Sequence, residues 1–101
     1  MKTVLIVDDN IKNLDLFKDF VESWGYETVT AQQGKDAISL AERYLPDIIL
    51  LDLGLPDMDG VQVIRNIRSW SNLPIIVISA RSEDNDKIEA LDAGADDYLT
   101  K

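Results

Sequence analysis

The chain has 101 residues, a net charge of −9, and neither cysteine nor histidine. That length supports one domain, residues 1–101. The missing residue types exclude disulfides, thiol chemistry, histidine or cysteine zinc sites, and Ser-His-Asp or Cys-His catalysis within the chain, and the acidic balance argues against this domain gripping nucleic acid by itself. No run of about 18 apolar residues is present, so no membrane span is predicted. The opening MKTVLIVDD turns acidic too soon for a signal peptide, and the lack of cysteine fits a cytoplasmic setting.

Thr3 to Val7 is an apolar run that ends in Asp8 and Asp9. Asn10 can cap a helix from Ile11 to Trp24, with apolar residues at 14, 17, 21 and 24 on one stripe and Gly25 as its stop. Glu27 to Ala31 reads as a short edge strand. Gly34 opens a helix to about Leu45, with Ala37, Leu40, Ala41 and Tyr44 on one face and Pro46 as its stop. Ile48 to Leu51 has four apolar residues in a row, the mark of a strand buried on both faces, and Asp52 follows directly. A loop with Gly54 and Pro56 leads through Asp57-Met58-Asp59 to a helix from Gly60 to about Ser69, with Val61, Ile64 and Ile67 inward. Pro74 precedes a fourth strand, Ile75 to Ile78, ending at Ser79. A helix begins at Ser82 or Glu83 and closes at Gly94. Asp97 to Thr100 is a fifth short strand, followed by Lys101.

Strands alternating with helices of about ten residues imply an α/β fold with parallel pairing and right-handed crossovers. Apolar central strands require helices on both faces. Such a sheet is expected to end with a further helix after the last strand. A helix burying about four large apolar side chains contributes roughly 6–12 kcal/mol before entropy, against a net stability of about 5–15 kcal/mol. The expectation is therefore a fragment, or a sheet face covered by another chain.

Parallel strands send all their carboxyl ends to one edge of the sheet, where such folds place their chemistry. Asp8 and Asp9 leave the first strand there, Asp52 the third, Ser79 the fourth and Lys101 the fifth. Three carboxylates held close must protonate or take a cation. Oxygen-only ligands favour Mg²⁺, which also accepts phosphate oxygens. A lysine supplies a compact charge for a phosphoryl oxygen, and a carboxylate can act as nucleophile to give an aspartyl phosphate.

The set VLIVDDN, IILLDLGLPDMDG, PIIVISAR and DAGADDYLTK resembles the receiver domain of two-component response regulators over nearly the whole chain. The second half is similar to receivers of the OmpR class, while the first half is more like stand-alone or hybrid-kinase receivers. The resemblance implies a flavodoxin-like, doubly wound sheet of order 2-1-3-4-5 with four helices present and the fifth absent. It implies Asp52 as phosphoacceptor. Mg²⁺ would be held by Asp9, Asp52 and the Gly54 carbonyl, with Asp8 acting through a water. Lys101 and Ser79 would meet the phosphoryl group beside the Ala80 N–H, and Tyr98 would be the switch aromatic that swings inward after Ser79 moves. Gly54 and Arg81 match positions that tune phosphoryl lifetime. The donor would be a phosphohistidine on a sensor histidine kinase or phosphotransfer protein. The readout would be the surface from Lys87 to Tyr98, a possible homodimer face.

Taken singly, each residue has a plainer reading. Asp8 and Asp9 serve as caps or turn residues, Asp57 and Asp59 as turn residues, Ser79 as a strand end, Lys101 as a solvated terminus, and Trp24 and Trp70 as helix-end packing. Only their joint placement points to chemistry. Two other functions fit parts of the pattern. A haloacid-dehalogenase-type phosphatase also uses an aspartate after a buried strand, but wants an acid where Gly54 stands. A phosphorylation-independent interaction module, or an engineered receiver-like scaffold, would not need the full acidic set.

Overall fold

The computed structural model describes residues 2–81 and 83–101. Nine elements alternate along it: β1 (Thr3–Val7), α1 (Ile11–Ser23), β2 (Glu27–Ala31), α2 (Gly34–Tyr44), β3 (Ile48–Leu51), α3 (Gly60–Arg68), β4 (Ile75–Ser79), α4 (Asp84–Ala93) and β5 (Asp97–Thr100). The strands form one parallel sheet in the order β2-β1-β3-β4-β5. Local chemistry fixes the element ends. Asn10 caps α1 by accepting from the Lys12 and Asn13 amides, and Asp59 caps α3 through Val61 N–H. Gly25 and Gly94 turn the chain at positive φ after α1 and α4. α4 starts at Asp84 after Glu83; the alternative start at Ser82 lies outside the described residues.

Side chains alternate across the sheet, so each strand divides between two layers. Leu5, Val7, Ile49, Leu51, Ile75 and Val77 pack with Ala37 and Ala41 of α2, Val61, Ile64 and Ile67 of α3, and Ala90 of α4. On the opposite face Val4 and Ile6 meet Leu14, Phe17 and Val21 of α1, with Ile48 and Leu50 partly covered beside them. No other helix covers that face among the described residues. Ile76 and Ile78 are half-buried, and Leu99, paired with Ile78, is 49% exposed. An open apolar hollow of about 340 Å³ runs along the start of this face, lined by Val4, Val21, Trp24, Ile48, Leu50 and Pro74.

The two tryptophans expected to pack at helix ends are exposed, Trp24 at 71% and Trp70 at 37%, and Tyr44 on the apolar face of α2 is 49% exposed. Trp24 and Tyr44 each stand at the end of a helix, where the stripe runs on past the strands beneath it. Trp24 overhangs the hollow that α1 does not cover, and the Tyr44 ring instead faces the Arg43 guanidinium, 5.4 Å from its centroid. Trp70 lies at the α3 end, where its indole N–H donates to Asn66 Oδ1 at 3.2 Å.

Candidate functional site

The register builds the site. Val7 pairs with Leu51, and Asp52 N–H donates to the Val7 carbonyl, so the residues just past β1 and β3 stand level. Lys101 N–H donates to the Ser79 carbonyl, which brings the end of β5 to the same edge. Oxygens of Asp8, Asp9 and Asp52 all lie within 4.8 Å of one another. Asp8 is buried, Asp52 half-buried and Asp9 exposed, so the cluster opens to solvent on one side.

Lys101 joins the strand ends. Its Nζ donates to Asp8 Oδ2 at 2.7 Å and to Asp52 Oδ2 at 3.1 Å. Burial works to lower its pKa, but the hydrogen bonds and negative charges of Asp8 and Asp52 outweigh that and raise it above the ordinary lysine value. Asp8 is further held by Asn10 N–H on Oδ1 and the Asn13 side-chain amide on Oδ2. Three carboxylates against one ammonium leave the pocket negative. Its donors are all oxygen and lie close enough for one hard cation, so the residues fit Mg²⁺.

The loop after Asp52 folds back on itself. Gly54 N–H donates to Asp52 Oδ1 at 3.2 Å, Leu55 and Gly60 N–H both donate to the Leu53 carbonyl, and Gly54 bridges Asp59. Gly60 must lack a side chain, because a Cβ there would stand 2.6 Å from Leu53 Cα.

Ser79 is buried at the end of β4, and its Oγ accepts from Arg81 N–H at 3.2 Å. Ala80 beside it is exposed. Tyr98 already packs against the core and donates its hydroxyl to the Arg81 carbonyl at 2.7 Å. Burial raises the Tyr98 pKa.

Some contacts go beyond the roles that the sequence suggests. Asn13 reaches Asp8 from the first turn of α1. Arg81 pairs with Asp59 at 3.3 Å and with Asp86 at 4.0 Å, linking the α3 cap to α4 across the mouth of the site. Asp59 is therefore more than a turn residue. Asp57 is too, since it bonds the start of α2. Arg68 ties the far end of β4 by donating to the Gly94, Ser71 and Leu73 carbonyls and to Asp96.

Fold and site together define a flavodoxin-like, doubly wound domain with an acidic, cation-ready pocket at the carboxyl edge of its sheet. Residues 4–101 match the response regulator receiver domain model. The chain belongs to that family, whose members are phosphorylation-activated switches of two-component signalling, generally Mg²⁺-dependent and served by sensor kinases. It is 46% identical over 101 residues to the transcriptional regulatory protein KdpE of Mycobacterium tuberculosis (strain ATCC 25618 / H37Rv), covering 100% of this chain and 45% of that protein. It is 48% identical over 101 residues to the KDP operon transcriptional regulatory protein KdpE of Escherichia coli K12, again covering 100% and 45%. Likeness to the OmpR class thus runs through the first half as well as the second. A two-component response regulator from Clostridium difficile superposes with a TM-score of 0.97 at 32% identity, covering 100% of this chain and 84% of that one. The chain spans under half the length of the curated relatives it matches.

Proposed function

We propose that Asp52 is the phosphoacceptor. A carboxylate oxygen of Asp52 attacks the phosphorus of a phosphohistidine on a sensor kinase or phosphotransfer protein. The P–N bond breaks, and the imidazole leaves with the bonding pair and takes up a proton. Lys101 offsets charge on the transferring oxygens, and the Ser79 hydroxyl and Ala80 N–H meet them from β4. Asp9, Asp52 and the Gly54 carbonyl would hold Mg²⁺, with Asp8 behind them, and the ion would supply further charge neutralisation. The observation that carries this reading is the meeting of Asp8, Asp9, Asp52 and Lys101 at one sheet edge.

The readout we assign to α4 and β5. Ala90 is the one buried residue of α4, while Ile88 and Leu91 are exposed, so the helix is lightly held. A chain of bonds leads to it: Ser79 Oγ accepts from Arg81 N–H, the Arg81 carbonyl accepts from Tyr98, and the Arg81 guanidinium faces Asp86. New charge on Asp52 that draws Ser79 would pull on this chain and bias α4. The apolar face at Trp24, Ile78 and Leu99 would be covered by a segment beyond these residues, a partner chain or a second copy.

Incubation with acetyl phosphate and MgCl₂, followed by intact-mass measurement, tests the chemistry. One added phosphoryl group is expected, lost in Asp52→Asn and with EDTA in place of Mg²⁺. Modification that persists in Asp52→Asn would move the acceptor elsewhere. Rapid turnover of phosphate esters would favour a phosphatase, and no modification a phosphorylation-independent module.

A further inference from the structure

Helix α2 begins without a cap of its own: Gln33 stands at its N-cap position in extended conformation and makes no side-chain bond to it. The first amides are met from far along the chain instead. Gly34 N–H donates to Asp57 Oδ1 at 2.8 Å, and Lys35 N–H donates to Asp57 Oδ2 at 3.0 Å. A helix start leaves several N–H groups without partners and carries partial positive charge, so a carboxylate is a favourable acceptor there. Met58 completes the joint. A Cβ on Gly34 would come within 2.4 Å of Met58 Cγ and 2.9 Å of Val63 Cγ2, so the loop tip lies against bare backbone. The base of the same loop is closed by the Leu55 and Gly60 bonds to Leu53 and by the Gly54–Asp59 bridge. Leu53 to Gly60 is therefore pinned twice, once to itself and once to α2.

We infer that Asp57 is a positioning residue for the cation-binding half of the site: by clamping the loop tip to α2 it fixes the Gly54 peptide against Asp52. The inference rests on the reading of Asp9, Asp52 and the Gly54 carbonyl as ligands. Gly54 is exposed, has no side chain to anchor it, and holds Asp52 through one 3.2 Å bond. Its carbonyl can be set in place only by the loop around it. Ordering that loop before the ion arrives removes an entropic cost from binding.

The test is a ¹⁵N NMR titration with MgCl₂, following the amides of Asp9 and Gly54, on the unaltered chain, Asp57→Ala and Asp57→Ala/Gln33→Asp, with thermal unfolding measured alongside. Asp at position 33 supplies α2 with a local cap but cannot hold the loop. Outer-shell partners typically matter by roughly 10–100-fold in metal affinity, and an exposed one belongs near the bottom of that range. Asp57→Ala is expected to weaken Mg²⁺ binding by about 10-fold. The double variant should regain thermal stability without regaining affinity. Recovery of affinity in the double variant, or no loss in the single one, would overturn the inference and leave Asp57 as a helix cap. If the unaltered chain shows no Mg²⁺-dependent shifts, the ligand set itself falls and takes this inference with it.

Discussion

Lys101→Met removes the cation that bridges Asp8 and Asp52 in the site. The lysine side chain is 22% exposed, and its partners are 3% and 12% exposed at 2.7 and 3.1 Å. Breaking a buried ion pair from one side typically costs about 3–5 kcal/mol, because the remaining charge stays buried and unpaired. Asp8 keeps the Asn10 and Asn13 donors, and Asp52 keeps Gly54 N–H, so part of that cost is recovered. The expected loss is roughly 2–4 kcal/mol in Mg²⁺-free buffer near neutral pH. For a domain of this size that is about 10–25 °C in Tm. Saturating Mg²⁺ should close most of the gap, because it restores positive charge to the same acidic cluster and binds the folded state. Differential scanning calorimetry with EDTA and with MgCl₂ measures both effects. A Tm within about 2 °C of the parent in EDTA would refute the view that Lys101 holds an otherwise self-repelling pocket together. An equal deficit with and without Mg²⁺ would refute the placement of the cation at these carboxylates. Because Lys101 has a raised pKa, its stabilising contribution is full below the ordinary lysine value of 10.5 and is lost as pH rises through the higher folded value. The alkaline limb of the parent's stability curve should therefore be steeper than the variant's.

Gly60→Ala would put a methyl 2.6 Å from Leu53 Cα and 2.9 Å from the Asp52 carbonyl oxygen, and backbone atoms cannot swing aside; a loss of about 1–3 kcal/mol or more in urea unfolding is expected, with slowed phosphoryl acceptance. Arg68→Met strips partners from the Gly94 and Leu73 carbonyls and from Asp96, whose Oδ2 also accepts from Ile75 N–H. Urea unfolding should show a loss of about 2–4 kcal/mol, and one below about 0.5 would mean that water replaces the guanidinium. The Lys35 and Gly34 amides hold the Asp57 carboxyl below its ordinary value of 3.8, so its contribution is present above that value and is lost as pH falls through the lower folded one. Asp57→Asn should flatten stability against pH in that acid window, which thermal melts in a pH series would show.

The sheet was legible because its signal is local. Val4–Val7, Ile48–Leu51 and Ile75–Ile78 are apolar without interruption, and each is followed by a polar residue that the fold uses. Once the strands are parallel, Asp8, Asp52, Ser79 and Lys101 have to share an edge. The residues that the sequence hid act across distance. Asp57 meets α2 at a separation of 23 residues, and Arg68 meets Asp96 at a separation of 28. A trace of the first was present: Gln33 is a poor cap, and a helix start without one demands an acceptor from elsewhere. Trp24 and Tyr44 went the other way, because helical spacing records which face a residue is on and not whether anything lies beneath it.

The two halves of the domain are held differently, and that difference bears on how a local charge could become a signal. The β3–α3 loop is bonded at base and tip, and α3 buries Val61, Val63, Ile64 and Ile67. A group attached to Asp52 therefore meets an unyielding wall on that side. On the other side, α4 buries Ala90 alone and meets the site through the Arg81 ion pairs and the bonds of Arg81 to Ser79 and Tyr98. The Asp59 and Asp86 carboxylates that hold the guanidinium are partly exposed, and ion pairs of that kind are individually worth about 0–1 kcal/mol. An anionic phosphoryl group at Asp52 would compete for hydrogen bonds worth more than that. Displacement is thus expected where the restraint is weakest, through Ser79 and Arg81 into α4, and not through the loop that carries Gly54.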